Sequence, residues 1–210
     1  MDYSRLSKIA APAFFLAAAA GLSLLFRSKP ALELLQSSNR HGKRLSLLKG
    51  DPSLCTSTAL IIPNTPGLTC DTHIARLVLR AAGSALDREC HNWVVKFGKL
   101  IPGECATTGP GRLAVEYVIH IVPPSGVDWG VLAGALHNAL STAGTGVGAK
   151  RVAVTEVGWR REMQAEDYAR VLVEECWKVL VETQVEEVQI ICREPALLPV
   201  LQALILPSAD

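Results

Sequence analysis

Two loops hold the residues of this sequence that could contact a ligand. Gly50-Asp51 follows one short apolar stretch, and 62–67 (Ile-Pro-Asn-Thr-Pro-Gly) follows a second, with a helical pattern after it. A loop that leaves a buried strand and enters a helix is the usual nucleotide or phosphate site of an α/β protein, because the N–H groups at the helix start attract anions. The Asp51 carboxylate is a strong acceptor for an N–H donor. The two loops therefore predict a nucleotide site.

Thiol and imidazole groups are the other candidates for chemistry. Cys70 and His73 lie close in sequence. Nucleophilic catalysis would need a hydrogen bond between the thiol and the imidazole, and also a third group that orients the imidazole. The spacing of these residues specifies neither. The six cysteines, at 55, 70, 90, 105, 176 and 192, have no CxxC spacing typical of a zinc site. We predict no catalytic residue, metal or cofactor, and we expect free thiols in a reducing compartment.

Strand and helix patterns alternate from residue 44 onwards. Short apolar runs predict strands at 44–49, 58–62, 103–107, 115–122, 151–154 and 188–192, and amphipathic runs predict helices at 71–83, 84–96, 128–143, 162–183 and 195–206. Asp71 and Asp128 are predicted as helix caps. The alternation predicts an α/β fold of three layers (α/β/α), with helices on both faces of a mixed, largely parallel sheet.

The N-terminal 30 residues have a different composition. Residues 9–26 form an apolar run without a charge, and as a helix of about 1.5 Å per residue it would be about 27 Å long, close to the thickness of a bilayer core. We predict an apolar helix that anchors the chain in a membrane; a cleaved secretory signal and a mitochondrial presequence are the alternatives. More basic residues follow the run than precede it, which places the domain on the cytoplasmic side. The predicted organisation is an anchor at 1–30, a linker at 31–43 and one domain at 44–210.

Composition excludes one class of partner. The net charge is +1 and aromatic residues make up 5% of the chain, with no dense Lys/Arg face. Nucleic-acid binders carry such a face, often with interleaved aromatic side chains, so we predict no nucleic-acid partner. A protein partner cannot be identified from these features.

Five landmarks in order resemble those of the macro domain family. They are Ser46-Leu-Leu-Lys-Gly-Asp51, Arg80-Ala-Ala-Gly83, Glu89-Cys90, the segment 103–113 (Gly-Glu-Cys-Ala-Thr-Thr-Gly-Pro-Gly-Arg-Leu) and Tyr117-Val-Ile-His-Ile-Val-Pro123. The similarity covers about residues 44–206 and implies a macro-domain-like fold. Members of the family bind ADP-ribose, and some hydrolyse ADP-ribosyl esters. The resemblance therefore implies ADP-ribose or an ADP-ribosylated protein as a partner, with Asp51 accepting the adenine amino group. In the alternative reading, Asp51 satisfies nearby backbone N–H groups.

The first ligand loop departs from the family pattern. The family has Asn-Ala-Ala-Asn, then a run of glycines, and then Val-Asp. In this chain, Ile62 and Thr65 stand at the two Asn positions, and Ala75 stands at the Asp position. The glycines are replaced by 70–73 (Cys-Asp-Thr-His). Asn64 replaces the second Asn if the loop slips by one residue. Glycines let the backbone approach a pyrophosphate closely, and these side chains remove that freedom.

The second ligand loop departs as well. The family has a Ser-Thr-Gly-like turn where this chain has 155–159 (Thr-Glu-Val-Gly-Trp). Gly158 can still form a turn. Trp159 can either stack on a ribose or base or cover the core. Glu156 places a carboxylate where phosphates are expected, which would repel them.

We therefore predict a divergent, non-catalytic macro-like module that binds ADP-ribose or a related nucleotide weakly if at all. The predicted ligand residues are Asp51, Asn64, Thr65, Gly158 and Trp159. Two alternatives remain open: a ligand-less domain that serves as a protein-interaction scaffold, and an ADP-ribosyl hydrolase. Thr65 and Ala75 argue against the hydrolase, because they replace the family's Asn and Asp.

Overall fold

A computed structural model describes residues 31–206 of the protein. The predicted apolar helix and membrane anchor at residues 9–26 lie outside the described residues. Within 31–206, no helix is both long and apolar enough to cross a membrane.

Seven strands and five α-helices form the described part of the chain. The strands are β1 (Glu33–Arg40), β2 (Lys43–Lys49), β3 (Ala59–Pro63), β4 (Cys105–Thr108), β5 (Tyr117–Ile121), β6 (Arg151–Thr155) and β7 (Glu187–Cys192). The helices are α1 (His73–Ala82), α2 (Ser84–Phe97), α3 (Trp129–Ser141), α4 (Ala165–Glu182) and α5 (Leu198–Leu204). A short 3-10 turn, Pro52–Leu54, follows β2, and a π-helical turn, Thr142–Gly146, follows α3. Every element predicted from residue 44 onwards is present, and its ends shift by three residues or fewer.

All seven strands join one mixed sheet in the order β1-β2-β7-β6-β3-β5-β4. Neighbours from β2 to β5 pair in parallel, while the edge strands β1 and β4 pair antiparallel with β2 and β5. Helices pack on both faces and bury a separate core on each side. The predicted three-layer α/β/α architecture with a largely parallel sheet is confirmed.

The predicted linker at 31–43 is wrong for most of its length, because Glu33–Arg40 form β1. β1 is an edge strand with much of its surface exposed, so polar residues are compatible with it and its sequence resembles a linker. The connection to β2 is a two-residue turn, His41-Gly42, with φ of +50° and +76°. Positive φ at both positions is typical of the type I′ hairpin, whose twist matches that of paired strands.

The central strand β3 positions the first predicted ligand loop. All five of its residues are buried, as expected for a strand covered on both faces. It ends at Pro63, and residues 64–72 lead from it to α1. The carboxyl ends of β2, β7, β6, β3 and β5 lie at one edge of the sheet, because these strands are parallel.

The cap of α1 is Thr72, not Asp71 as predicted. The Thr72 hydroxyl accepts from the Ala75 N–H (3.1 Å) and donates to the Pro63 carbonyl (2.9 Å), which ties the helix start to the end of β3. The Asp71 side chain is exposed and accepts a hydrogen bond from the Thr69 hydroxyl instead. Both residue types favour N-caps, so the sequence does not distinguish between neighbours one position apart.

Replacing Thr72 with Ala should lower the free energy of unfolding by about 1 to 2 kcal/mol, because the cap and the contact with Pro63 are both lost. Thr72→Ser keeps the hydroxyl and should recover most of that stability. Asp71→Ala should change stability by less than about 0.5 kcal/mol. Urea denaturation followed by circular dichroism measures all three; a larger loss in Asp71→Ala than in Thr72→Ala would contradict the assignment of the cap.

Candidate ligand site

A cleft of about 500 Å³ lies at the carboxyl edge of the sheet. Its walls come from the end of β3, the start of α1 and the loops that follow β5, β6 and β7. Its lining residues are Pro63, Thr72, His73, Ile74, Pro123, Glu156, Gly158, Trp159, Arg160, Arg161 and Glu194. The carboxyl edge of a parallel sheet is where α/β proteins bind ligands, so this cleft is the candidate ligand site. A larger apolar groove, lined mainly by α4 together with Arg40 and Leu204, does not include the carboxyl ends of the parallel strands.

Gly158 gives one wall of the cleft its shape. Its φ is +73°, and a Cβ at this position would lie 3.0 Å from Pro123 Cβ and 3.1 Å from Leu132 Cδ1. Both the backbone conformation and the packing therefore require glycine. The predicted turn at Gly158 is present, and its close packing brings the backbone after β6 against the segment that follows β5.

Trp159 lies in the cleft wall and also covers the core. Its ring packs edge to face on Tyr168, with the ring centroids 5.2 Å apart. The Tyr168 hydroxyl donates to the Val157 carbonyl (2.9 Å), which fixes the ring beneath the loop. Trp159 Nε1 is buried and has no hydrogen-bond partner among the described residues. The two alternatives drawn from the sequence, a ligand contact and a core cover, are thus compatible in one side chain.

Acidic and basic groups share the cleft. Glu156 Oε1 accepts from the backbone N–H of Arg193 (3.2 Å), while Oε2 is buried without a partner in the described part of the chain. Burial raises the pKa of the Glu156 carboxyl, because the charged form loses hydration. Arg160 is half-buried and donates to the Pro124 carbonyl (3.1 Å). Arg161 is exposed, so its guanidinium is open to an anion.

Asn64 does not line the cleft. Its side chain is 2% exposed, and its Oδ1 accepts from the Thr65 N–H (2.8 Å) and the Cys70 N–H (2.9 Å). Its Nδ2 lies 3.0 Å from His120 Nδ1 and 3.3 Å from Cys70 Sγ. The amide therefore holds the 64–72 loop in place from inside, and both of its ends are already used.

Thr65 and Asp51 also lie outside the cleft lining. The Thr65 hydroxyl bonds to the Thr69 hydroxyl (2.7 Å) within the loop. Asp51 is half-buried after β2, and its Oδ1 accepts from the Ser53 N–H (2.9 Å), which caps the 3-10 turn. Only one carboxylate oxygen is used there, so the contact with the backbone does not conflict with the predicted contact with a ligand. The cleft thus collects Gly158 and Trp159 from the predicted set, while Asp51, Asn64 and Thr65 lie elsewhere along the same sheet edge.

Several cleft residues were not predicted from the sequence as ligand contacts. His73, Arg160, Arg161 and Glu194 belong to this group. Arg193, next to Glu194, lies beside the cleft, and its Nη1 donates to His73 Nε2 (3.3 Å). The signal that could have found Arg193 and Glu194 is their position directly after the last parallel strand, β7, at the same sheet edge as the other loops.

Comparison with known proteins identifies the fold. The family model described as "Macro domain" matches residues 64–135. Among solved structures, the macrodomain of Oceanobacillus iheyensis with ADP superposes with a TM-score of 0.74 at 17% identity, covering 82% of this chain and 94% of that one. The Trypanosoma brucei macrodomain in complex with ADP-ribose gives a TM-score of 0.69 at 21% identity, covering 77% of this chain and 69% of that one. The described part of the chain has the macrodomain fold, and the resemblance found in the sequence is confirmed.

One of three similar curated proteins carries the name of this family. A "Macro domain-containing protein" of Listeria monocytogenes is 25% identical over 157 residues, which is 70% of this chain and 89% of that protein. An uncharacterised protein of Saccharolobus solfataricus is 33% identical over 86 residues, or 41% of this chain and 49% of that protein. A third, from Pyrobaculum aerophilum, is 34% identical over 104 residues and is covered to 57% of its length. The chain thus spans about half the length of the two archaeal relatives.

Truncating Asn64 tests its role in the loop. Asn64→Ala should lower the free energy of unfolding by at least about 2 kcal/mol, because two backbone N–H groups and the buried His120 ring lose their partner. Thr65→Ala removes a side chain whose hydroxyl bonds only within the surface loop, and should cost less than about 1 kcal/mol. Thermal and urea unfolding measure both. Equal stability of Asn64→Ala and the unmodified protein would contradict the structural role.

Proposed function

We propose that this macrodomain-fold chain is a divergent, non-catalytic binding module whose cleft takes ADP-ribose or a related nucleotide diphosphate weakly. The observation that carries the proposal is the position of the cleft, at the carboxyl ends of β3 and β6, between the start of α1 and the Gly158 turn. Two similar solved structures are macrodomains in complex with ADP and with ADP-ribose. A helix start and a tight glycine turn both favour a bound phosphate.

The charges of the cleft support weak binding. Arg160 and Arg161 attract a diphosphate, whereas Glu156 and Glu194 repel it. Repulsion between like charges is strong where water is excluded, and one oxygen of Glu156 is buried. The loop that enters α1 also carries side chains where the family has glycines, which keeps a phosphate farther from the backbone. Opposing charges and a less accessible backbone both reduce affinity without closing the cleft.

The arrangement of Asn64 and Ala75 supports the absence of hydrolysis. Hydrolysis of an ADP-ribosyl ester needs a polar group that positions a water molecule or the ribose. The Asn64 amide is buried and fully engaged inside the loop, and Ala75 is a fully buried methyl group in α1. Neither residue presents such a group to the cleft.

Calorimetry of the full-length chain with ADP-ribose tests the proposal. We expect binding in the micromolar to millimolar range, and binding about tenfold weaker in Asp51→Asn. This variant keeps one side-chain oxygen for the Ser53 N–H and replaces the other, which leaves no second acceptor for an adenine amino group. No heat at millimolar ligand would favour the ligand-less scaffold. Release of ADP-ribose from a modified protein would overturn the non-catalytic assignment.

Neutralising Glu156 should strengthen binding. At a pH above the raised pKa of the Glu156 carboxyl, we expect Glu156→Gln to bind ADP-ribose about tenfold more tightly, equivalent to about 1.4 kcal/mol, because a negative charge leaves the cleft. Glu162→Gln removes the same charge from an exposed position outside the cleft lining, and should change the affinity by less than about twofold. Equal effects of the two substitutions would show that net charge, and not the position of Glu156, controls binding.

The same substitution should remove a pH dependence. Burial raises the pKa of Glu156, so its carboxyl keeps its proton to a higher pH than an ordinary glutamate does. In the unmodified protein, affinity for the anion should fall as pH rises through this raised pKa, and Glu156→Gln should not show that fall. The free energy of unfolding should also fall with rising pH, because the folded state binds this proton more tightly than the unfolded state does. The fall begins at the ordinary pKa of a glutamate and ends above the raised pKa. Glu156→Gln should flatten both profiles.

A further inference from the structure

Three buried side chains that the cleft does not use meet beneath the 64–72 loop. They are Cys70 in the loop, Cys90 in α2 and His120 in β5, and their sulfur and ring nitrogen atoms lie within 4.8 Å of one another. Their exposed fractions are 1%, 1% and 0%. Two thiols and an imidazole at this spacing could hold a soft metal ion or react with each other. The hydrogen bonds around them distinguish the two cases.

Asn64 fixes the direction of those hydrogen bonds. Its Oδ1 accepts from two backbone N–H groups, so its amide nitrogen must face the cluster. There Nδ2 donates to His120 Nδ1 (3.0 Å) and to Cys70 Sγ (3.3 Å). His120 Nδ1 is therefore an acceptor, and the ring hydrogen lies on Nε2.

This tautomer disfavours a metal ion. His120 Nε2 donates its hydrogen to Thr108 Oγ1 (2.9 Å), and the Thr108 hydroxyl points in turn to the Val118 carbonyl (3.5 Å). Burial lowers the pKa of His120 to about 4, so the ring is neutral at neutral pH. A metal bound at Nε2 would move the hydrogen to Nδ1, directly against the Asn64 N–H donor. Nε2, which lies 3.6 Å from Cys90 Sγ, thus carries a hydrogen in place of the lone pair that a metal needs, and the lone pair of Nδ1 already accepts from Asn64.

The two thiols differ in acidity. Cys90 Sγ lies within 4.8 Å of Cys70 Sγ, and Asn64 Nδ2 donates to Cys70 Sγ (3.3 Å). The neighbouring Cys90 thiol and the Asn64 amide lower the pKa of Cys70 despite its burial. The neighbouring Cys70 thiol, followed by burial, raises the pKa of Cys90. Of the two sulfurs, Cys70 is the one that accepts from an amide N–H, that of Asn64, and such a donor stabilises a thiolate. A sulfur stabilised in this way, with a second thiol within 4.8 Å, has the attacking and resolving groups that disulfide formation needs.

We propose that Cys70 and Cys90 are a redox-active pair that a hydroperoxide converts into an intramolecular disulfide. The Cys70 thiolate attacks the peroxide, the O–O bond breaks, and Cys70 becomes a sulfenic acid while hydroxide leaves and takes up a proton. The Cys90 sulfur then attacks the Cys70 sulfur, the S–O bond breaks, and the leaving hydroxide takes the Cys90 proton. Two thiols and one hydrogen peroxide thus give one disulfide and two waters.

The position of the pair supports this reaction and gives it a consequence. Thr69 and Asp71, the chain neighbours of Cys70, are exposed, so the segment that covers the pair lies at the surface. Cys70 has a φ of +55°, a conformation that side chains other than glycine rarely adopt, and it is held by the Asn64 contacts. A disulfide would tie this strained loop covalently to α2, next to the proposed ligand cleft.

Peptide mapping after oxidation tests the pair in the full-length chain. Trypsin cleaves after Lys49, Arg76, Arg88 and Lys96, which isolates Cys90 in 89–96 but leaves Cys55 with Cys70 in 50–76. A Cys55→Ser variant removes this ambiguity and retains both members of the pair. Stoichiometric hydrogen peroxide should convert it to a species lighter by two hydrogen atoms, with 50–76 and 89–96 joined until a reductant is added. Cys90→Ser and Cys70→Ser should not give this species.

Three outcomes would overturn the proposal. The first is a disulfide that joins other cysteines. The second is an unchanged number of free thiols at a peroxide concentration that oxidises a reference dithiol. Either result would exclude Cys70 and Cys90 as a redox-active pair. The third is zinc that copurifies with the unmodified protein at one ion per chain but not with Cys90→Ser. This result would show that the cluster is a metal site. The Cys55→Ser experiment leaves the cluster intact, so the test does not depend on whether the Cys70 and Cys90 variants fold.

Discussion

The buried amide of Asn64 has to satisfy every one of its hydrogen-bonding atoms inside the protein, and the loop after β3 is built around that requirement. Its oxygen holds two backbone N–H groups of the 64–72 loop, and its nitrogen reaches the His120 ring and the Cys70 thiol. A buried amide without these partners would cost several kcal/mol, so the loop has little freedom to rearrange. The start of α1, one wall of the cleft and the reactive pair all follow from this loop conformation.

A single polar network therefore serves both proposed sites. On its outer side the loop leads into Thr72 and His73, which line the cleft. On its inner side it brings Cys70 to Cys90. Where a flexible glycine loop would close around a diphosphate, this loop is fixed from below. Its rigidity is consistent with a shallow, weakly binding cleft and with thiols that stay close enough to react.

The fold was largely readable from the sequence because each strand and helix from residue 44 onwards carries its own local signal. Continuous apolar runs identified β3 and β6, and amphipathic spacing identified α4. The signal failed at β1, where a polar edge strand has the composition of a linker, and at the α1 cap, where Asp71 and Thr72 compete. The local pattern fits a linker as well as an edge strand in the first case, and either residue as the cap in the second. Pairing with β2 and the contact with Pro63 decide between these alternatives.

The sequence by itself determined the layers and the largely parallel sheet, because both depend on local periodicity. The order of its landmarks determined the likeness to macro domains, and the conformational freedom of glycine determined the Gly158 turn. The tertiary structure alone decided which groups meet. Asn64, Cys70, Cys90 and His120 are separated by up to 56 residues, and no spacing rule relates them. Glu156 and Arg193 meet only because β6 and β7 are neighbours in the sheet. Local sequence thus located the two loops, whereas long-range contacts across the sheet determined the charges of the cleft, the partners of the buried amide and the thiol pair.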